Sequence, residues 1–454
     1  MHSILYSNQS GGICLKHRLK IGFIGLTVFV ISFLTACSGN GSGTGNNGDG
    51  SVTKTTPAEP SEVIFYTNNG TTEELFNSSF GDALRKKFPN YTIKFIGRVG
   101  QSNNMPEMVA TNTRFDIYYS SIGNFENNMF PYNIQYDMTD LIKKHKVDLT
   151  RFEPAIIDGI VKSSGGKLYA LPVFTDTLVL YYNKSLFNKF NVPYPKDGMS
   201  WDEILELARK LTQVDGGIKY TGLTFIPVYT FFMNPLSIPA VEEATGKPTI
   251  NTDARWETFF QTLAINPTEI SGIRDYYANM KSILEIIDGF QKTETIAMVP
   301  YVAGWANSMP DNMDWDMVTL PSFKGQTGIS AQPYSYYFGI TNMAKDKDAA
   351  MEVLNYLVSD EMQTTLAKRG SLPVIKSTDV RNTLGKDSKY KDKHWQAAFA
   401  NKFAPVPYKG IYEVPVLAIY ADYATKVMRG DMDVNTARRL AEEAAIKTLA
   451  ELKK

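Results

Sequence analysis

Hydrophobic positions along the chain fall into three regimes. From Ile21 to Leu34 they are continuous, an apolar run of about 14 residues preceded by Lys16, Arg18 and Lys20. From Ser38 to about Glu62 they thin out into Gly, Ser, Asn, Thr and Pro, a composition that cannot offset its own ordering entropy and predicts a flexible tether over 37–62. From Val63 onward they become periodic, which predicts packed elements.

Val63 to Tyr66 reads as a short strand ending at Asn68-Asn69-Gly70. Glu73 to Phe88 reads as a helix, because Leu75, Phe76, Phe80, Ala83 and Leu84 recur at three- and four-residue steps. Tyr91 to Ile96, after Pro89, returns to a strand pattern, so a βαβ unit and a parallel sheet follow. A further strand over Phe115 to Tyr119 runs into the polar loop Ser120-Ser121-Ile122-Gly123, and loops at strand ends of open α/β sheets are where ligands sit. In SWDEILELARKLT, Ser200 and Glu203 form a capping box ahead of the stripe Ile204, Leu207, Ala208 and Leu211, which predicts a helix with a core-facing side. A helical run from Ala349 to Lys368 ends at Gly370, and the amphipathic stretch Val434 to Leu452 predicts a closing helix.

The leading apolar run falls short of the about 20 residues that span a bilayer, and with its basic flank it predicts a signal peptide over 1–36. Leu34-Thr35-Ala36-Cys37 resembles a lipobox, which implies cleavage before Cys37 and a diacylglycerol on its sulfur. Two acyl chains anchor stably where one is marginal. The folded part is then expected at the outer face of a cell membrane, extracellular in a Gram-positive bacterium.

Composition narrows the rest. Roughly 410 residues follow the leader, too many for one ordinary core and suited to two lobes. The two cysteines are Cys14 and Cys37, which leaves no thiol for a disulfide, a Cys metal site or a nucleophile in the folded part. The whole chain balances at zero charge and its leader holds three cations, so the remainder carries about −3 and offers no basic stripe for nucleic acid. Only His145 and His394 follow the leader, too few to suggest a zinc site or a His-based triad.

Three segments carry a resemblance to a family: GGKLYALPVFTDTLVLYYNKSLFNKFNVPYP with the capped helix after it; ETIAMVPYVAGWANSM, with a G-x-W loop; and WDMVTLPSFKGQTG followed by FGITNMAKDKDAAMEVLNYLVSDEMQ. In order and spacing they resemble the family 1 extracellular solute-binding proteins of ABC importers. The resemblance implies an α/β fold of the two-lobe periplasmic-binding-protein type II kind, with hinge crossings and a ligand cleft between the lobes. It implies crossings near Leu171 to Thr175, Leu320 to Lys324 and Ser371 to Val374. The N-terminal lobe would then be 63–172 with 325–370, and the C-terminal lobe 173–324 with 371–454. It also implies a lipid-anchored monomer without cofactor, metal or catalytic chemistry. Its partners would be a carbohydrate and the transmembrane subunits of an ABC permease.

A sugar presents a C–H face and a hydroxyl rim, so its site needs aromatic plates and planar polar groups. Asp176 sits, by resemblance, where relatives send an acidic side chain from the hinge into the cleft; a solvated loop carboxylate is the alternative. Trp305 matches the stacking tryptophan of the G-x-W loop, against a plain core Trp, and Tyr229 falls where relatives place an aromatic of the second lobe. Asn68 and Asn69 follow the first strand, where they can meet hydroxyls or serve ordinary turn chemistry. Some relatives carry an aromatic where this chain has Ser120; Tyr334 or Tyr336 is the expected replacement plate, or else narrows the cleft. A polyamine would want more carboxylates beside Asp176, and an anion would want an Arg that the sequence does not point to. A glycosidase would need a framed pair of carboxylates, and none stands out.

Overall fold

The computed structural model describes residues 61–453. The signal peptide, the lipobox with Cys37 and nearly all of the tether lie outside the described residues.

Strands β1 (Glu62–Thr67), β2 (Thr92–Gly97) and β3 (Ile117–Ser121) are parallel, and the expected βαβ unit joins the first two. Its helix starts at Glu73 under a Thr72 cap and passes through a π-helical turn at Asn77–Gly81 before ending at Lys87. Strand β4 (Leu171–Phe174) forms the far edge, and β10 (Tyr336–Ile340) enters antiparallel between β3 and β4, giving the order β2-β1-β3-β10-β4. The sheet is therefore mixed, not purely parallel. The second lobe carries its own antiparallel sheet, β5 (Leu178–Asn183) flanked by β8 (Met298–Val302) and β9 (Trp315–Thr319). A small hairpin of β6 (Gln213–Asp215) and β7 (Ile218–Tyr220) stands apart.

Each lobe has its own core. Phe65, Phe76, Ile117, Phe338 and Leu354 belong to the first, and Tyr181, Ile204, Trp256, Trp315 and Tyr420 to the second. The helix Trp201–Leu211 is a direct product of its sequence: Ser200 Oγ accepts from the Glu203 amide at 3.3 Å, and Glu203 Oε2 accepts from the Ser200 amide at 2.7 Å. Trp201, Ile204, Leu207 and Leu211 are then buried, each contributing roughly 1.5–3 kcal/mol. Replacing the Ser200 cap by Ala would cost about 0.5–2 kcal/mol. The closing helix Val434–Leu452 packs on the helix Glu413–Arg429 along Ala437, Ala441, Ala445 and Leu449.

Three expectations need correction. The third strand lies two residues later than its apolar run, because Ser120 and Ser121 pair with Tyr337 and Tyr336 of β10, so Ser120 is in the strand and not in a loop. The run Ala349 to Lys368 is two helices, Lys347–Leu357 and Asp360–Lys368, since the Ser359 side chain caps the second. The lobe boundaries also fall elsewhere. Phe174 still pairs with Tyr336 in the first sheet, while Ala331 packs in the second core and Ser330 donates to Lys402 O at 2.7 Å. The chain therefore crosses at Thr175–Thr177 and again near Pro333–Ser335, later than Leu320–Lys324. After Ser371, Leu372 packs in the second core and Val374, Ile375 and Val380 in the first; from Leu384 the core residues belong to the second, apart from Val406, which packs in the first.

Candidate ligand-binding cleft

The cleft is built on the two crossings. Asp176 N–H donates to Tyr334 O at 3.1 Å and Tyr334 N–H to Asp176 O at 2.8 Å, while Thr175 N–H reaches Leu372 O at 3.0 Å. Three segments running between lobes are thus laced together at one level. Asp176 is 6% exposed. Its Oδ1 accepts from the Thr177 amide at 2.8 Å, and both oxygens lie 3.2 Å from the Gly304 amide. Burial pushes its carboxyl up to about 7, against the lowering effect of the Thr177, Gly304 and Ala303 amides.

These contacts set the G-x-W loop. Below it, the Tyr181 hydroxyl donates to Ala303 O at 2.6 Å and accepts from the Ala306 amide at 3.0 Å; the Ala303 amide donates to Thr177 O at 2.9 Å. The segment "FTDTLVLYY" therefore holds the loop at both of its ends. Trp305 at its centre is 2% exposed and takes Tyr181 and Tyr301 nearly at right angles, with centroids at 5.1 and 5.0 Å. Its buried indole N–H has no hydrogen-bond partner. An unused donor of this kind in a cleft wall is what a ligand oxygen could satisfy.

Aromatic rings continue the wall. Tyr229, on the helix Pro227–Phe232, meets Tyr301 at 5.2 Å and Tyr334 at 6.3 Å, both edge-on. Tyr334 meets Tyr336 at 5.9 Å, and Tyr336 stacks on Phe174 at 4.3 Å. The Tyr334 hydroxyl crosses toward the first lobe and donates to Ser121 Oγ at 2.9 Å.

The first-lobe candidates are engaged locally. Asn68 Oδ1 accepts from the Tyr118 hydroxyl at 2.9 Å and its Nδ2 donates to Asn128 Oδ1 at 2.7 Å. Asn69 Oδ1 accepts from the amide and hydroxyl of Thr71 at 3.0 and 2.6 Å, the turn chemistry that Asn before Gly allows. Ser120 is buried at the end of β3.

One interlobe cavity of about 150 Å³ brings together Asn68, Asn69, Ser120, Asp176, Tyr229, Trp305 and Tyr334. Ser121, from the segment expected to meet a ligand, lines it too, as do Asn124, Asn128 and Phe174, which escape the sequence reading. The Asn124/Asn128 pair, four apart on the helix Asn124–Met129, is the signal that could have found two of them. Arg98 also lines the cavity, which corrects the expectation of a cleft without arginine. Its Nε donates to Gly100 O at 2.9 Å. Among the described residues no cluster of His, Cys, Asp or Glu could hold a metal, and no helix is long and apolar enough to cross a membrane.

A model of the bacterial extracellular solute-binding protein family matches residues 69–364. The chain belongs to this family. Among relatives of this solute-binding protein, a probable ABC transporter-binding protein of Deinococcus radiodurans is 32% identical over 137 residues, 29% of this chain and 30% of its own length. An arabinooligosaccharide-binding protein of Bacillus subtilis is 26% identical over 205 residues, 44% of this chain and 43% of its own length. The chain thus matches less than half the length of either relative. An ABC substrate-binding protein of Listeria monocytogenes, solved with cycloalternan, superposes with a TM-score of 0.67 at 17% identity over 86% of this chain and 99% of that one. At that identity the likeness establishes the two-lobe fold.

Proposed function

We propose that this chain is the lipid-anchored substrate-binding subunit of an ABC importer and that it captures a carbohydrate, an oligosaccharide in particular, between its lobes. The observation that carries the reading is the composition of the interlobe cavity: aromatic faces of Tyr229, Trp305, Tyr334 and Phe174 alternate there with Asn68, Asn69, Ser120 and Asp176. C–H faces and hydroxyl rims of a sugar require that alternation. The oligosaccharide named for the Bacillus subtilis relative supports the same class.

Both lobes contribute walls, so a full set of contacts exists only when the cleft is shut. Ligand then shifts the open–closed balance by its difference in affinity for the two forms. The permease would read the closed surface. Cys37 and the tether after it would keep the subunit at the membrane.

Arg98 favours one second reading, a sugar that bears a carboxylate, because its guanidinium would meet that group at the cavity wall. A thermal-shift screen of residues 38–454, which contain both cores, tests the class. Ligand at 100 times its dissociation constant stabilises by about 2.7 kcal/mol. A shift with neutral oligosaccharides upholds the main reading, one confined to uronates the second, and one confined to polyamines sinks both. Release of a Cys37→Ala chain from the membrane fraction tests the anchor.

A further inference from the structure

Beside the interlobe cavity lies a second chamber of about 430 Å³, larger than the first at 150 Å³. Asn124, Tyr229, Trp305 and Tyr334 line both, so the two spaces share a wall and a molecule seated in one can extend into the other. Their chemistry differs. The remaining walls of the second come from the helix Pro227–Phe232, the segment Ile283–Ile287 and the helix Glu413–Arg429, and they present Ile226, Phe232, Leu284, Ile287, Val414 and Ala418.

Away from the wall shared with the interlobe cavity, the two polar side chains at its edge are already committed. Thr425 Oγ1 donates to Ala421 O at 2.8 Å, and the Asp422 carboxylate is paired with Lys426 at 2.8 Å. A further sugar ring placed there would shed hydration from its hydroxyls and find little to replace it, which costs free energy for every unpaired group. A hydrocarbon group would gain free energy from the same burial. Leu284, 40% exposed, leaves an apolar surface open at this chamber. An apolar cavity of about 150 Å³ already accepts benzene, so this space takes a larger aryl group or a medium alkyl chain.

We propose that the second chamber seats an apolar aglycone, aryl or alkyl, of the same solute whose sugar occupies the interlobe cavity. The natural ligand is then a glycoside with a hydrophobic substituent. This deepens the carbohydrate reading and rests on it.

The test compares methyl and phenyl β-D-glucopyranoside, β-D-xylopyranoside and α-L-arabinofuranoside by calorimetry on residues 38–454, with N-phenyl-1-naphthylamine as an uncharged fluorescent probe that has no hydroxyl. For whichever sugar binds, the phenyl glycoside should bind at least tenfold tighter than the methyl. Ala418→Trp, an exposed position that fills the chamber, and Leu284→Glu should each bring that ratio close to one. Equal affinity of the two glycosides, or a ratio that Ala418→Trp leaves intact, overturns the proposal while the sugar reading stands. Binding of no glycoside sinks the sugar reading, and the dye then judges the chamber alone: fluorescence lost in Ala418→Trp upholds an apolar seat, and no dye binding overturns it. A dimer in sedimentation that excludes the dye assigns the chamber to self-association and also overturns it.

Discussion

Asp176 and Tyr334 exchange both backbone hydrogen bonds, at 3.1 and 2.8 Å, so two of the residues that line the cleft are also the rungs joining two interlobe crossings. The Asp176 side chain, in turn, fixes Gly304 beside Trp305. Cleft and hinge are one construction here, and changes at Asp176 should act on both.

Asp176 should make stability depend on pH between about 4 and 7. Its folded-state value, about 7, lies above the ordinary 3.8, because burial penalises the charged form. The folded chain therefore keeps a proton that the unfolded chain has released. The associated stability is complete below about pH 4 and is lost as pH rises through 7, at up to about 1.4 kcal/mol per pH unit. Glu126, likewise buried and pushed up to about 7, adds a second term of the same sign. Urea midpoints at pH 5, 6, 7 and 8 should fall more steeply for the natural chain than for Asp176→Asn, with the gap constant above pH 8. Parallel curves would contradict the shift. At pH 8, Asp176→Asn should itself weaken binding, because its amide N–H groups meet the donor of Gly304.

Trp305→Phe should fold and bind poorly. Its indole N–H has no partner, so its removal orphans no acceptor, and a phenyl ring keeps much of the packing against Tyr181 and Tyr301. The stability loss should stay below the roughly 3–5 kcal/mol of truncation to Ala. Affinity should fall at least tenfold. Tryptophan fluorescence should respond to sugar in the natural chain and not in Trp305→Phe; an unchanged response would place the ligand away from this ring.

Much of this architecture is legible because its causes are local. The Ser200–Glu203 box and the amphipathic run Val434 to Leu452 are complete within a few turns of chain, and both elements stand where their patterns put them. What pairs at long range is less readable. The end of β3 depends on Tyr336 and Tyr337, more than 200 residues away, which is why Ser120 and Ser121 read as loop. The break at Ser359 turns on whether its hydroxyl faces the Met362 amide, at 3.3 Å, and an apolar count does not carry that. The helix Glu413–Arg429 begins without a side-chain cap and carries apolar residues beyond its buried stripe Val416, Leu417, Tyr420, Ala421, Ala424 and Met428, so its start is poorly marked, although Gly430 closes it in a left-handed conformation. In the cleft, the G-x-W loop and the hinge acid stand out through resemblance, whereas Arg98, Asn124 and Asn128 come to the wall from elements whose placement only the assembled sheet decides.

Arg98 separates two solute classes. Its guanidinium bonds the Gly100 carbonyl and Gln101 Oε1, at 2.9 and 3.4 Å, and a ligand carboxylate would displace weak contacts with a charge-assisted pair. Arg98→Ala should change affinity for a neutral oligosaccharide by less than about threefold and for a uronate by tenfold or more, since such bonds contribute roughly 1.5–3 kcal/mol. Calorimetry with one sugar of each kind decides between them.

Gly123 and Val414 offer a test of how closely the lobes meet. Gly123 ends the loop after β3 with φ +80°, and its amide donates to Glu126 Oε2 at 2.7 Å. A Cβ there would stand 2.8 Å from Val414 Cγ2, in the first turn of the helix Glu413–Arg429 of the other lobe. Gly123→Ala therefore incurs two penalties: a positive-φ backbone that a residue with a Cβ adopts only under strain of about 1–3 kcal/mol, and a wedge between lobes. Val414→Ala removes the second and leaves the first. In urea denaturation the double variant should be more stable than the sum of the singles implies, by about 0.5–3 kcal/mol. Gly123→Ala should also raise the radius of gyration in solution scattering and weaken sugar binding, and Val414→Ala should restore both. Additive stabilities with an unchanged radius would mean that the lobes do not meet at this point in solution.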